Sequence, residues 1–231
     1  MYIKKAIIYT NQLTKMQKFY CETLNFPLVT NTPTSFEVQI GTSILSIIQS
    51  EIIEETQYHF AFNIPSNLFN EAKEWAQTRV NLLKEDDVDE IFFEWHNSHS
   101  FYFLDPCENV VELIAQHDVS PISYQKQFSS DLIFNIAEMN ITTDNVLLVG
   151  EKLKRLGIPV RNNEQLDEKS LNFMGEKGDG TFLLLGPSER TWYFSSKKAV
   201  VSPVMLELSN NLVIVLDCEG HLSAEKLEEL K

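Results

Sequence analysis

Tyr58-His59-Phe60-Ala61-Phe62-Asn63-Ile64 is followed at once by Pro65 and Ser66. As a strand, the stretch points Phe60, Phe62 and Ile64 to one side and His59, Ala61 and Asn63 to the other. The apolar side needs a helix to cover it. The opposite side, which carries an imidazole, then faces a cavity. Pro65 breaks the strand, and Ser66 is placed to cap a helix carrying Leu68, Ala72, Trp75 and Arg79. Strands are predicted next at 91–95, 99–104 and 109–115. The turn Asp105-Pro106-Cys107-Glu108-Asn109 separates the last two. In 109–115, Val111 and Leu113 alternate with Val110, Glu112 and Ile114.

The same order of strand, helix and three strands recurs on both sides. Upstream, residues 3–10 read as a strand, and Thr14 to Gln17 has the form of a capping box. Met16, Phe19, Tyr20 and Leu24 follow at helical spacing, and Asn25 stops the helix. Strands are predicted at 27–30, 35–40 and 43–49, with Gly41-Thr42 as a turn. Downstream, a strand is expected at 133–142 and a helix at 146–156, which leaves through Lys152, Lys154, Arg155 and Gly157. Ile158–Val160, Leu171–Met174 and Thr181–Leu185 complete the third copy. Beyond it, Trp192–Phe194, Val204–Leu208 and Leu212–Leu216 read as extra strands, and 222–231 as a short polar helix or tail.

This repetition predicts an α+β chain of βαβββ modules forming cupped mixed sheets, with helices on the outer face. The expected division is a paired-module domain at 1–118, a linker at 119–130, a third module with extra strands at 131–217, and a tail at 218–231. In the first strand Lys5, Ile7 and Tyr9 share a face. Lys5, His59 and Glu112 are therefore expected on the concave faces of one curved sheet. A third module without a partner in its own chain implies a homodimer, unless the strands after 190 supply a degenerate fourth module.

Composition narrows the partners. The 231 residues carry 33 acidic against 19 basic side chains, a formal net charge of −14. Such a surface repels phosphate backbones, so nucleic acid is not an expected partner. The acidic run Glu85 to Glu90 reads as a solvated loop. Cys21, Cys107 and Cys218 form no Cys-x-x-Cys, which excludes zinc ribbons and thioredoxin-like motifs. The odd cysteine count, with no signal peptide in view, fits a reducing cytoplasm. No apolar run approaches the ~20 residues needed to span a bilayer, so no membrane partner is expected.

Three segments resemble the vicinal oxygen chelate superfamily, which includes glyoxalase I, fosfomycin- and bleomycin-resistance proteins and extradiol dioxygenases. They are Leu13 to Phe26, His59 to Phe62 and Ser100 to Glu112. The chain as a whole resembles tandem bacterial proteins of this type, mostly without an assigned reaction. The resemblance implies one divalent metal, zinc, iron or manganese, held by first and last strands of each module. His59 and Glu112 occupy those positions in the second module. In the first module Lys5 and Leu45 or Ser46 occupy them, and none is a usual ligand. Glu138 stands at the first-strand position of the third module, whose last-strand position is apolar, so no metal site is implied there.

The resemblance to extradiol dioxygenases adds Phe101-Tyr102, Asp105-Pro106 and Glu112, with Glu108 at the Gly or Pro position and His96 near the upstream histidine. It gives Tyr102 a catalytic part, donating a hydrogen bond to a bound oxygen. Trp95 and His96 are candidates at the pocket rim. His99 is also a candidate, although it differs from Tyr102 by an odd number along one strand and needs a bulge to share its face.

Three functional readings follow. A metal-free pocket would bind a small molecule, with Lys5 neutralising Glu112 or presenting a cation beside Tyr9. A metal-dependent lyase, isomerase or ring-cleavage dioxygenase would use His59 and Glu112. An interaction scaffold would keep only a vestigial pocket.

Overall fold

The computed structural model describes residues 1–51 and 56–227. The first unit comprises β1 (Ile3–Thr10), α1 (Leu13–Lys18), β2 (Leu28–Thr32), β3 (Ser35–Ile40) and β4 (Ser43–Gln49). The second comprises β5 (His59–Asn63), α2 (Phe69–Gln77), β6 (Ile91–Phe93), β7 (Ser98–Leu104) and β8 (Val110–Gln116). The third comprises β9 (Asn135–Thr142), α3 (Val146–Arg155), β10 (Asn172–Met174) and β11 (Phe182–Gly186). A final meander follows: β12 (Val204–Leu208), β13 (Leu212–Leu216) and β14 (Leu222–Lys226).

These elements make two seven-stranded mixed sheets, and the chain has the α+β class expected of it. The first sheet runs β14-β13-β12-β1-β4-β3-β2, and the second runs β10-β11-β9-β5-β8-β7-β6. Strand alternation explains the first sheet directly. β3, β12 and β13 each bury every second residue, so one face packs and the other meets solvent. In the second sheet β5, β8 and β11 are buried at every position. Both faces of that sheet are covered along these three strands, while the edge strand β6 is part-exposed.

The pairing of units differs from the expectation. The first unit does not close on the second: β1 pairs antiparallel with β12, and β5 pairs antiparallel with β9. The meander after residue 203 is thus the partner of the first unit, and the third unit is the partner of the second. A period of 50–75 residues identifies repeats but not which repeats share an edge. Since the third unit has a partner within the chain, the argument that led to a dimer loses its premise.

Local corrections have local causes. α1 begins at Leu13 with Gln12 as its cap residue, so the Thr14 capping box does not form; Thr10 Oγ1 instead accepts from the Gln12 backbone N–H at 3.0 Å. The helix widens into a π turn at Phe19–Thr23, and Asn25 ends it in the left-handed region at φ 58°. α2 starts at Phe69, too far on for Ser66 to cap it, and buries Phe69, Ala72 and Ala76. Trp192–Phe194 belongs to an irregular loop held by a Thr191 to Lys198 bridge, not to a strand. Residues 222–226 are strand rather than helix, because they pair with β13; 228–231 lie outside the described residues. Among the described residues no helix is long and apolar enough to cross a membrane.

Candidate metal centre and ligand cavity

The two faces of the second sheet have different chemistry. Phe60, Phe62, Val111 and Leu113 join the main hydrophobic core on one side. His59, Tyr102, Glu112 and Glu138 line a cavity of about 490 Å³ on the other. The alternation in 58–64 therefore places the cavity on the side expected.

Register explains how the polar groups meet. Ala61 on β5 lies opposite Glu112 on parallel β8 and opposite Glu138 on antiparallel β9. Tyr102 on β7 is paired in turn with Glu112. Tyr102, Glu112, Ala61 and Glu138 thus form one row across four strands. His59 stands two residues before Ala61, on the same face. A register shift between β5 and β9 accommodates Ala137 beside Glu138. Without that bulge, strict alternation from buried Ile136 would turn Glu138 into the core.

His59, Glu112 and Glu138 are all buried, with one donor atom from each lying within 4.8 Å of the others. His59 Nε2 is 3.4 Å from a Glu112 oxygen and 3.9 Å from a Glu138 oxygen. On the far side of the ring, Nδ1 donates to the Val110 carbonyl at 3.0 Å. A carbonyl only accepts, so this contact fixes the Nδ1 proton and leaves Nε2 to face the carboxylates. The His59 backbone N–H donates to Asn140 Oδ1 at 3.1 Å.

Burial pushes the His59 pKa down, but the hydrogen-bonded carboxylates of Glu112 and Glu138 outweigh it and the net shift is upward. Burial raises the Glu138 carboxyl, against the pull of His59. Burial, then the charges of Glu112 and Glu138, hold the Tyr102 phenol well above its ordinary value. Tyr102 is therefore a neutral hydrogen-bond donor. One imidazole nitrogen and two carboxylates, with the ring pre-oriented by a backbone carbonyl, fit a manganese, iron or zinc ion.

The remaining candidates divide between cavity and elsewhere. Trp95 and His96 line the cavity with Tyr102. His96 is buried rather than an exposed loop residue, and burial followed by the Arg161 charge lowers its pKa from 6.5 to about 4. Lys5 and Tyr9 are not at this cavity. They sit on β1 in the other sheet, where Lys5 Nζ pairs with Glu37 at 2.6 Å and the Tyr9 N–H donates to Tyr58 Oη at 3.3 Å. The expected network of Lys5, His59 and Glu112 does not form. His99 is also outside: it packs between Phe69 and Phe92, and its Nδ1 is 2.9 Å from His117 Nε2. No bulge intervenes on β7, so His99 and Tyr102 keep opposite faces.

The cavity also takes in Glu138, where no metal site was expected, and residues that carried no site expectation, among them Arg161, Lys169, Arg190 and Trp192. Glu138 stood at a first-strand ligand position, but its companions became visible only once β5 was paired with β9. Arg161 and Arg190 lie in irregular segments where no periodicity points inward.

The family model described as toxoflavin-degrading enzyme matches residues 136–190, which span β9 to Arg190. No curated protein matches the chain. Among solved structures, a Bacillus subtilis protein provisionally assigned as a dioxygenase shares 11% identity. It aligns over 97% of this chain and 84% of its own, with a TM-score of 0.61. A lactoylglutathione lyase from Agrobacterium tumefaciens shares 18% identity over 48% of this chain and 90% of its own, at a TM-score of 0.40. The genomically encoded fosfomycin resistance protein of Listeria monocytogenes shares 22% over 47% and 85%, at 0.38. The first spans nearly the whole chain and supports the fold; the other two cover about half of it.

Proposed function

We propose, from the premise that the chain has the vicinal oxygen chelate fold, that it is a metal-dependent enzyme acting on a small molecule with adjacent oxygen atoms. One observation carries the reading: His59, Glu112 and Glu138 converge, buried, on the cavity face. His59 Nε2 and one oxygen from each carboxylate would hold a divalent ion. Such an ion supplies Lewis-acid polarisation of bound oxygens. Tyr102 would donate its phenolic hydrogen to a substrate oxygen. The aromatic residues around it would orient the substrate and exclude water. Fold alone does not select among lyase, isomerase and dioxygenase chemistry.

A metal-free binding pocket has its own support in the His59 contacts, because an imidazolium between two carboxylates is a satisfied network without any ion. Metal analysis of protein purified without chelator separates the two. The expected result is one manganese, iron or zinc per chain, lost in both His59→Ala and Glu138→Ala. Absence of metal, with no rise in melting temperature on adding each of these ions, would sink the enzyme reading in favour of the metal-free pocket.

A further inference from the structure

Opposite in charge to the carboxylates, two arginines line the same cavity. Among the described residues, Nε and Nη1 of Arg161 and Nε and Nη2 of Arg190 are buried without a hydrogen-bond partner. Nε and Nη2 form one edge of the guanidinium plane, the edge that grips a carboxylate through two parallel N–H bonds. The remaining nitrogen of Arg190, Nη1, donates to the Thr191 carbonyl at 3.4 Å. Stacking fixes the planes. Arg190 lies over Trp192 at 4.0 Å, and Trp192 is 4.6 Å from the His59 ring. Arg161 lies over Trp95 at 4.1 Å and over Phe173 at 4.8 Å. A guanidinium edge withdrawn from water with no acceptor is costly, and an anion relieves that cost. Arg161 keeps Glu164 on its third nitrogen, Nη2, at 3.4 Å, and Lys169 adds another cation to the wall, so basic groups gather at this cavity in a chain of net charge −14.

The rest of the wall is aromatic. Trp95 and Phe173 meet at 4.9 Å, and Phe93 and Tyr193 at 5.6 Å. The volume, about 490 Å³, is that of a drug-sized ligand site.

We propose that the cavity takes a flat aromatic carboxylate, its carboxylate gripped by Arg190 with Arg161 as a second cation, and its oxygen-bearing end toward His59, Glu112 and Glu138. This rests on the reading of the cavity as the substrate site. The anion grip itself needs no metal, so it is testable on the chelator-treated full chain. Calorimetric titration would compare benzoate and 2-naphthoate with their neutral isosteres benzamide and 2-naphthamide. At least one acid is expected to bind ten-fold or more tightly than its amide. That preference should fall to near parity in Arg190→Gln, be partly kept in Arg190→Lys and weaken in Arg161→Gln. If Arg190→Gln fails to fold, salt dependence takes its place: raising salt from 50 to 500 mM should weaken the acid and leave the amide unchanged. Equal binding of acids and amides by the wild-type chain, failure of every acid to bind, or a preference untouched by the arginine changes or by salt overturns the proposal. If protein purified without chelator holds no metal and the acid preference is found all the same, the metal reading fails and the anion grip stands.

Discussion

At the scale of single residues, Lys5 and Glu138 exchange the roles that their positions suggested. Lys5 is tied to Glu37 on a different sheet, whereas Glu138 completes the cluster with His59 and Glu112. Lys5→His, which would supply a ligand had Lys5 faced the cavity, is therefore expected to leave metal affinity unchanged; a tighter site in that variant would contradict this placement. His96 makes a pH prediction. In the unfolded chain it takes up a proton near pH 6.5, but in the fold only near about 4, because burial and then Arg161 oppose its charge. Between those values the unfolded chain holds more protons. The stability His96 contributes is thus fully present above pH 6.5 and is lost as pH falls through about 4. The loss is about 3 kcal/mol. Gln cannot take a proton at this position. The difference in unfolding free energy between wild type and His96→Gln should therefore shift by about that amount from pH 7 to pH 4, with the scattered carboxylates cancelling. A difference that stays flat over this range would show that His96 charges as readily folded as unfolded.

At the scale of elements, turns and bulges set what strands can do. The β3–β4 turn carries Gly41 at φ 56°, and any Cβ there would run into the Phe134 carbonyl. The Thr42 N–H donates to that same carbonyl at 2.7 Å, so the turn is pressed against the entry to β9. Gly41→Ala meets both a left-handed backbone and a backbone clash. It is expected to cost about 2–4 kcal/mol, measured by denaturant unfolding; a loss under about 0.5 kcal/mol would mean the turn moves away freely. Most strands were legible in sequence because period-two alternation survives wherever one face is buried. His59 and Glu112 were legible for the same reason, since alternation put them on the face opposite the phenylalanines. The Ala137 bulge was not legible. Nothing in Ile136-Ala137-Glu138-Met139 marks an extra residue, and only pairing with β5 reveals it. The arginines escaped because irregular segments have no period from which to read direction.

At the scale of the molecule, the question is which units depend on which. The repeat suggests that residues 1–118 close on themselves, but the sheets join the first unit to the meander after 203 and the second to the third. Contacts between the sheets reinforce this interleaving. The Tyr58 hydroxyl donates to the Pro203 carbonyl at 2.7 Å, and the Tyr20 hydroxyl donates to Asp105 at 2.9 Å. The Ile136 N–H donates to Ser43 Oγ at 3.1 Å. A single cluster of buried apolar side chains draws on all three units and the meander. A fragment ending at residue 118 would leave the β1 edge without β12 and the β5 edge without β9. It would also lose Ile136, Met139, Leu206 and Ile214 from the common core. Open edges of this kind invite association. Residues 1–118 produced alone are therefore expected to lack a cooperative thermal transition, to bind a hydrophobic dye and to aggregate, whereas the full chain melts cooperatively. The fragment should also bind no divalent ion, because Glu138 lies beyond its end. A monomeric, cooperatively melting 1–118 fragment would show that the first two units close on each other after all, and the β5–β9 edge would then be a contact added to a finished fold rather than the seam on which the site is built.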